Sequence, residues 1–165
     1  MEFSADTLNN IMRLSISVGD VFYIQMGEAE GITLYDRMQQ IFQEYGYYVE
    51  KVTSTTLPGK DGLTRMKEIM RDLRENPPTE IGGMKVTAVR DYLKGIRTEG
   101  GKTEPTGLPA SDVLYFELEN GCWVCVRPSG TEPKIKLYVN SNAKEKAEAE
   151  KLNRTLCEAS QAMIS

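Results

Sequence analysis

The chain has 165 residues, of which 40% are hydrophobic and 27% are charged, a composition typical of a folded globular protein. This length corresponds to about one domain with an appendage, since domains usually have ~100–200 residues. The net charge of −4 argues against a general nucleic-acid-binding protein, which needs a basic face. The absence of histidine removes the commonest general acid/base and zinc ligand, and three cysteines do not suggest a disulfide framework.

The first residues of the sequence and the lengths of its apolar runs indicate where in the cell the protein is expected. Residues 1–6 contain neither a basic segment nor an apolar core, so they do not resemble a secretory signal. No apolar run approaches the roughly 18 residues that cross a bilayer. We therefore expect a cytoplasmic protein without membrane contacts.

Helical patterns dominate the first part of the chain. Residues 1–31 show weak periodicity, and we expect one or two helices there. Thr33 and Asp36 form a capping pattern, which predicts a helix that continues to Tyr45 and ends at Gly46. A second helix is predicted after Asp61, which can cap it, and ends before the prolines at 77 and 78.

Strand patterns dominate the rest. Residues 47–53 and 84–90 read as strands, and residues 94–111, rich in glycine and without a strong period, are predicted to form a long loop. Alternation over residues 112–119 and 122–127, separated by Asn-Gly, predicts a hairpin with a type I′ turn.

The C-terminal part is predicted to contain one more strand and a helix. Alternation continues in residues 134–139. Asn142 and Glu145 resemble a capping box that opens the last helix. Its inward stripe would comprise Ala143, Ala147, Leu152, Leu156, Ala159 and Met163. Strand, helix, four strands and helix together predict an α+β domain, with a mostly antiparallel sheet and two helices on one face.

The loop between the last two strands has the composition of a phosphate-binding site. Arg127 offers a guanidinium fork, while Ser129 and Thr131 offer hydroxyls. Gly130 allows the backbone to approach a ligand. Lys136 would add positive charge if it lies on the polar face of the strand. By composition alone, the same stretch is equally compatible with a simple turn.

A second motif, Cys122-Trp123-Val124-Cys125, has the Cys-x-x-Cys spacing of redox and zinc sites. In a strand, however, residues i and i+3 point to opposite faces. We therefore interpret the two cysteines as small strand residues and predict neither a metal site nor a catalytic residue in this chain.

Several ordered strings resemble one known family. Arg-Pro-Ser-Gly-Thr-Glu-Pro-Lys-Ile-Lys, at residues 127–136, resembles the phosphate-binding signature in the last domain of the phosphohexomutases, the family of phosphoglucomutase and phosphomannomutase. The neighbouring strings Leu-Pro-Gly-Lys-Asp-Gly at 57–62 and Ile-Gly-Gly at 81–83 resemble the same family. Together they are more similar to the bacterial phosphoglucomutase branch than to the phosphomannomutase branch.

The resemblance carries expectations about domains. It implies that residues 47–165 form the C-terminal, fourth domain, which in the family has a TATA-binding-protein-like fold. Residues 1–46 would be a mostly helical segment, of which residues 32–46 resemble the end of the preceding, third domain. Residues 1–31 depart from the family pattern.

The resemblance also carries expectations about function. The family exchanges phosphate between the 1- and 6-hydroxyls of a hexose through a phosphoserine and a bound Mg²⁺. The serine, metal and sugar-reading loops have no counterpart here, so the chain is expected to hold no cofactor and to be inactive alone. Arg127, Ser129, Gly130, Thr131 and Lys136 would bind the substrate phosphate, whereas Glu132 would hold the loop. Expected partners are glucose 1-phosphate, glucose 6-phosphate, glucose 1,6-bisphosphate and the remaining mutase domains.

Two alternative hypotheses for the function remain open at the level of the sequence. The chain could be a stand-alone phosphate-binding or protein-interaction module, which contacts a partner through the exposed side of its sheet. Nucleic-acid binding would rest on fold analogy alone, and the acidic balance counts against it.

Overall fold

The computed structural model describes residue 31 and residues 33–165. The chain divides into two compact units between Tyr45 and Gly46. Apart from Gly31, the one or two helices expected in residues 1–31 lie outside the described residues. Within the described part, no helix is long and apolar enough to cross a membrane.

Helix α1, Leu34–Tyr45, begins with the predicted capping arrangement. The backbone N–H of Asp36 donates to the Thr33 hydroxyl at 3.1 Å. In return, the Asp36 carboxylate accepts the Thr33 N–H at 2.9 Å and the Thr33 hydroxyl at 2.6 Å. Gly46 follows the helix with a φ of +88°, the left-handed conformation that commonly ends a helix. The predicted helix and both of its ends are confirmed.

Residues 46–165 form one antiparallel sheet with two helices. The strands are β1 (Tyr47–Thr56), β2 (Glu80–Ile81), β3 (Met84–Asp91), β4 (Ile96–Glu99), β5 (Lys102–Pro105), β6 (Leu114–Leu118), β7 (Trp123–Pro128) and β8 (Lys134–Ala143). Their order across the sheet is β1-β8-β7-β6-β3-β4-β5, and β2 pairs with β3. Strand β1, the first of the described strands, therefore lies beside β8, the last.

Helices α2 (Gly62–Glu75) and α3 (Lys146–Ala162) share one hydrophobic core with the inner face of the sheet. Phe116 of β6, Leu137 of β8 and Leu156 of α3 are fully buried in it, and Met70 of α2 is nearly so. The opposite face, to which Arg127, Lys136 and Tyr138 point, is called the open face below. This α+β arrangement confirms the predicted fold class.

The hairpin between β6 and β7 has the predicted turn. Asn120 and Gly121 both have positive φ, +57° and +72°, which is the condition for a type I′ turn. The Cys122 N–H closes the turn on the Glu119 carbonyl at 3.2 Å. Asn120 is the only non-glycine residue in the described part with positive φ, and asparagine is among the residues that tolerate it.

The prediction of a long loop over residues 94–111 is wrong, because the structure places the β4–β5 hairpin within it. Gly100 and Gly101 form its turn with φ of +55° and +80°. Strand β5 is exposed throughout, so it lacks the alternation of apolar residues that reveals a half-buried strand. Ion pairs support this hairpin instead of a core face. Arg97 of β4 bonds Glu104 of β5 at 3.1 Å.

The predicted capping box at Asn142 and Glu145 is also wrong. Strand β8 continues through Ala143, and the Asn142 N–H donates to the Cys122 sulfur at 3.3 Å. Helix α3 starts at Lys146, and its N-cap residue Glu145 makes no side-chain capping bond. Asp61 likewise occupies the N-cap position of α2, as predicted, but its side chain makes no capping bond.

The inward face of α3 is more polar than predicted. Ala147 is exposed and Ala143 belongs to β8, whereas Leu156 is fully buried as expected. Asn153 and Ser160 lie on the buried face. Their burial is tolerated because the Asn153 amide donates to the Val49 carbonyl at 2.8 Å and the Ser160 hydroxyl to the Leu156 carbonyl at 2.6 Å.

An ion-pair cluster covers part of the open face. Arg97 contacts both carboxylate oxygens of Glu117 at 2.8 Å, and Arg90 contacts the same carboxylate. The side chain of Glu117 is only 21% exposed. The hydrogen bonds from Arg97 outweigh the effect of burial and lower the pKa of Glu117 from 4.5 to about 2.

Replacement of Glu117 by glutamine should therefore lower stability in a pH-dependent way. The pKa in the folded state lies below the ordinary 4.5, so the stabilisation is complete above pH 4.5 and is lost as the pH falls towards 2. We expect Glu117→Gln to lower the free energy of unfolding by about 1–3 kcal/mol at pH 7, after allowance for partial exposure. Urea unfolding at pH 7 and at pH 3 measures the difference, which should shrink at the lower pH.

Glu99→Gln is the matched control, because Glu99 contacts the same Arg97 but is 59% exposed. Its effect at pH 7 should stay below about 1 kcal/mol. A Glu117→Gln difference that does not change with pH would contradict the role assigned to this carboxylate.

Candidate phosphate-binding site

Two cationic side chains face each other at the end of the β7–β8 hairpin. Arg127 and Lys136 are directly opposite in the antiparallel register, so both project from the open face. Both are exposed, and neither forms an ion pair within the part of the chain that the structure describes. Like charges in opposite positions repel each other. An anion placed between them would relieve that repulsion.

A polar side chain of the neighbouring strand β1 lies next to these two cations. Ser54 of β1 is the register partner of Lys136 on the other side of β8, so its side chain lies on the same face. The sequence analysis did not identify Ser54, since no local pattern shows that β1 pairs with β8. Its exposed hydroxyl adds a hydrogen-bonding group beside the two cations.

Backbone hydrogen bonds fix both arms of the loop that connects β7 and β8, the residues before its tip and those after it. The Ser129 N–H donates to the Lys134 carbonyl, and the Lys134 N–H donates to the Glu132 carbonyl, both at 2.8 Å. The Pro133 carbonyl accepts the Leu57 N–H, also at 2.8 Å. These bonds leave residues 130–132 as the tip of the loop.

The tip presents hydrogen-bond donors without partners. The backbone amides of Gly130, Thr131 and Glu132 have no acceptor among the described residues, and neither do the hydroxyls of Ser129 and Thr131. Successive free amides in a tight loop form a cavity suited to an anion. Ser129 differs from the tip residues because its amide is already bonded, so only its hydroxyl is available.

Gly130 is not required by the conformation of the protein itself. Its φ is not in the left-handed region, and a Cβ placed on it would meet no atom within 4 Å. The space beside it is open. A side chain there would occupy the volume that a ligand of the tip amides needs.

Glu132 and Lys134 neutralise each other beside this site. The Lys134 ammonium lies 2.8 Å from the Glu132 carboxylate, and this contact lowers the pKa of Glu132. Of the two lysines that follow the loop, Lys134 thus forms an ion pair, whereas Lys136 forms none with the described residues. The pairing agrees with a structural role for Glu132.

The cysteines do not form a second site. Cys122, just before β7, is buried, whereas Cys125 within β7 points to the open face, as the i, i+3 spacing predicts. Burial raises the pKa of the Cys125 thiol to about 11. All three cysteines are free, and no group of three His, Cys, Asp or Glu side chains in the described residues could hold a metal ion.

Comparison with known proteins identifies the family. The profile described as "Phosphoglucomutase/phosphomannomutase, C-terminal domain" matches residues 65–159. A phosphoglucomutase of Staphylococcus aureus is 41% identical over 112 residues, which is 67% of this chain and 20% of the relative. One of Staphylococcus haemolyticus is 38% identical over 122 residues, 73% of this chain and 22% of the relative.

A solved structure was also found, parafusin from Paramecium in its open form, with 16% identity and a TM-score of 0.48 over 80% of this chain and 22% of that one. The family assignment comes from the sequence matches. The chain spans about a fifth of the length of the curated relatives it matches. It belongs to the family of phosphoglucomutase and phosphomannomutase C-terminal domains.

Proposed function

We propose that this chain is the phosphate-anchoring domain of a phosphoglucomutase, and that the loop at residues 127–133 holds the phosphate that does not react. The observation that carries the proposal is the pair of unneutralised cations, Arg127 and Lys136, beside the unpaired amides of the tip. The family membership and the short span of the chain relative to its relatives support the same assignment.

Each group has a role that follows from its chemistry. The guanidinium of Arg127 can bond two phosphate oxygens at once, and the Lys136 ammonium acts as a point charge on the other side. The hydroxyls of Ser129 and Thr131 and the amides of Gly130 and Thr131 complete the shell. Lys134 remains with Glu132, which keeps the adjacent carboxylate from repelling the ligand.

Such an anchor recognises the phosphate group and makes no contact that depends on which carbon bears it. A mutase that exchanges phosphate between two positions of a hexose must bind its substrate in two orientations. Charge-assisted hydrogen bonds to phosphate oxygens meet this requirement. Glucose 1-phosphate, glucose 6-phosphate and glucose 1,6-bisphosphate are therefore the ligands that we propose, in a cytoplasmic enzyme.

The phosphoryl transfer itself is assigned to other parts of the enzyme. The resemblance implies a phosphoserine and a Mg²⁺ in the whole enzyme, and the described residues contain no group of three or more His, Cys, Asp or Glu side chains that could hold a metal ion. No step in our account therefore passes through a metal on this chain.

Loss of either cation should weaken phosphate binding. We expect Arg127→Gln and Lys136→Gln each to lower the affinity for inorganic phosphate by roughly 10- to 100-fold, since one charge-assisted bond contributes about 1.5–3 kcal/mol. Isothermal titration calorimetry at low ionic strength measures the effect. Lys85→Gln, an exposed lysine on β3, is the matched control and should bind like the wild type. Equal losses in all three variants would indicate only a net-charge effect and contradict the site.

The isolated chain should bind both hexose phosphates but convert neither. NMR of the ligands, with Mg²⁺ and glucose 1,6-bisphosphate present, reports binding and turnover together. Because the anchor makes no contact with the sugar, the dissociation constants of glucose 1-phosphate and glucose 6-phosphate should agree within about threefold. Turnover by the chain alone, or binding of only one of the two isomers, would overturn the proposed division of labour.

A further inference from the structure

The second arm of the phosphate loop rests on a turn that is distant in sequence. Leu57 follows β1 directly, is only 3% exposed and belongs to the core. Its N–H donates to the Pro133 carbonyl at 2.8 Å, one residue beyond the tip. The loop is thus bonded to backbone whose position is fixed by a buried side chain.

Gly62 closes this contact from the other side. It is the first residue of α2 and is buried. A Cβ placed on Gly62 would lie 2.9 Å from the Pro133 Cβ and 2.2 Å from the Leu57 carbonyl oxygen. Both distances are too short for a real contact, so any larger residue must displace Pro133, Leu57 or both. The φ of Gly62 is not in the left-handed region, so close packing rather than backbone conformation demands glycine here.

Helix α2 holds the turn in place. Met66 and Met70, one and two turns after Gly62, are 6% and 2% exposed and belong to the core cluster. The Arg65 N–H donates to the Asp61 carbonyl at 2.9 Å, which ties the turn to the helix. Because core residues hold the helix, a side chain at Gly62 must displace the Leu57 carbonyl or Pro133, and both residues form the second arm of the loop.

We propose that the turn at residues 57–62 is the support that fixes the phosphate loop, and that Gly62 is a positioning residue for phosphate binding. This inference rests on the proposed function. Gly62 acts through Pro133 and does not touch the ligand. A pre-formed loop binds more tightly because less ordering accompanies ligand arrival, and the support provides that pre-organisation.

The test compares two glycines of the same turn in the full chain. Gly62→Ala should lower the affinity for inorganic phosphate by roughly tenfold. It should also shift the amide NMR signals of residues 129–132 before any phosphate is added. Gly59→Ala is the matched control, because Gly59 has a φ of +101° but its Cβ would meet no atom within 4 Å. That variant strains the turn without pressing on the loop, so it should lose stability but keep the affinity.

A double-mutant cycle with Pro133→Gly isolates the contact itself. Removal of the Pro133 Cβ relieves one of the two clashes, so the loss of affinity caused by Gly62→Ala should be smaller in that background. Equal losses in both backgrounds, or equal losses in Gly59→Ala and Gly62→Ala, would overturn the inference. If Gly62→Ala does not fold, Pro133→Gly alone should weaken phosphate binding several-fold, and wild-type affinity would contradict the support.

The outcomes separate this inference from the proposed function. If the wild-type chain does not bind phosphate at all, the proposed function fails. The amide signals of residues 129–132 in the ligand-free variants then test, without any ligand, whether the turn at residues 57–62 positions the loop. Displacement of these signals in Gly62→Ala but not in Gly59→Ala would uphold the support, and its absence would overturn it.

Discussion

Arg127 and Lys136 lie opposite each other because the burial of the apolar residues beside them fixes the register of β7 and β8. Val126 of β7 and both Ile135 and Leu137 of β8 are fully buried, so the alternating neighbours Arg127 and Lys136 must point to the open face. A slip of one residue would bury a lysine and expose the apolar side chains, which is costly. The burial of the core thus holds two like charges together, and a bound anion is the natural complement to them.

The loop between β7 and β8 adds hydrogen-bond donors to these two charges. Its arms are bonded to Lys134 and Leu57, whereas the tip amides and hydroxyls have no acceptor among the described residues. The internal ion pair with Lys134 neutralises the carboxylate of Glu132, which would otherwise oppose an anion. Fold and site are therefore coupled through backbone hydrogen bonds that need no ligand to form. Such bonds would pre-organise the loop for the phosphate that we propose it binds.

The features that could be predicted from sequence are those with a local cause. Alternation in β8 predicted which face Lys136 occupies, because it depends on neighbouring residues. The Asn120-Gly121 pair likewise predicted the turn between β6 and β7. The position of Ser54 beside Lys136 depends on the pairing of the first strand with the last, for which no local signal exists. The β4–β5 hairpin was missed because ion pairs of Arg97, not a buried face, hold it. At Asn142 a capping pattern was overridden by strand pairing with Tyr48.

The most direct test of the central claim is an amide NMR titration of the chain with inorganic phosphate at constant ionic strength. The account predicts large shifts for the amides of Gly130, Thr131 and Glu132, which have no acceptor among the described residues, and small ones for Ser129 and Lys134, which already have one. Movement of all five amides alike, or of none while the sheet remains folded, would contradict a phosphate site built from the free donors of this loop.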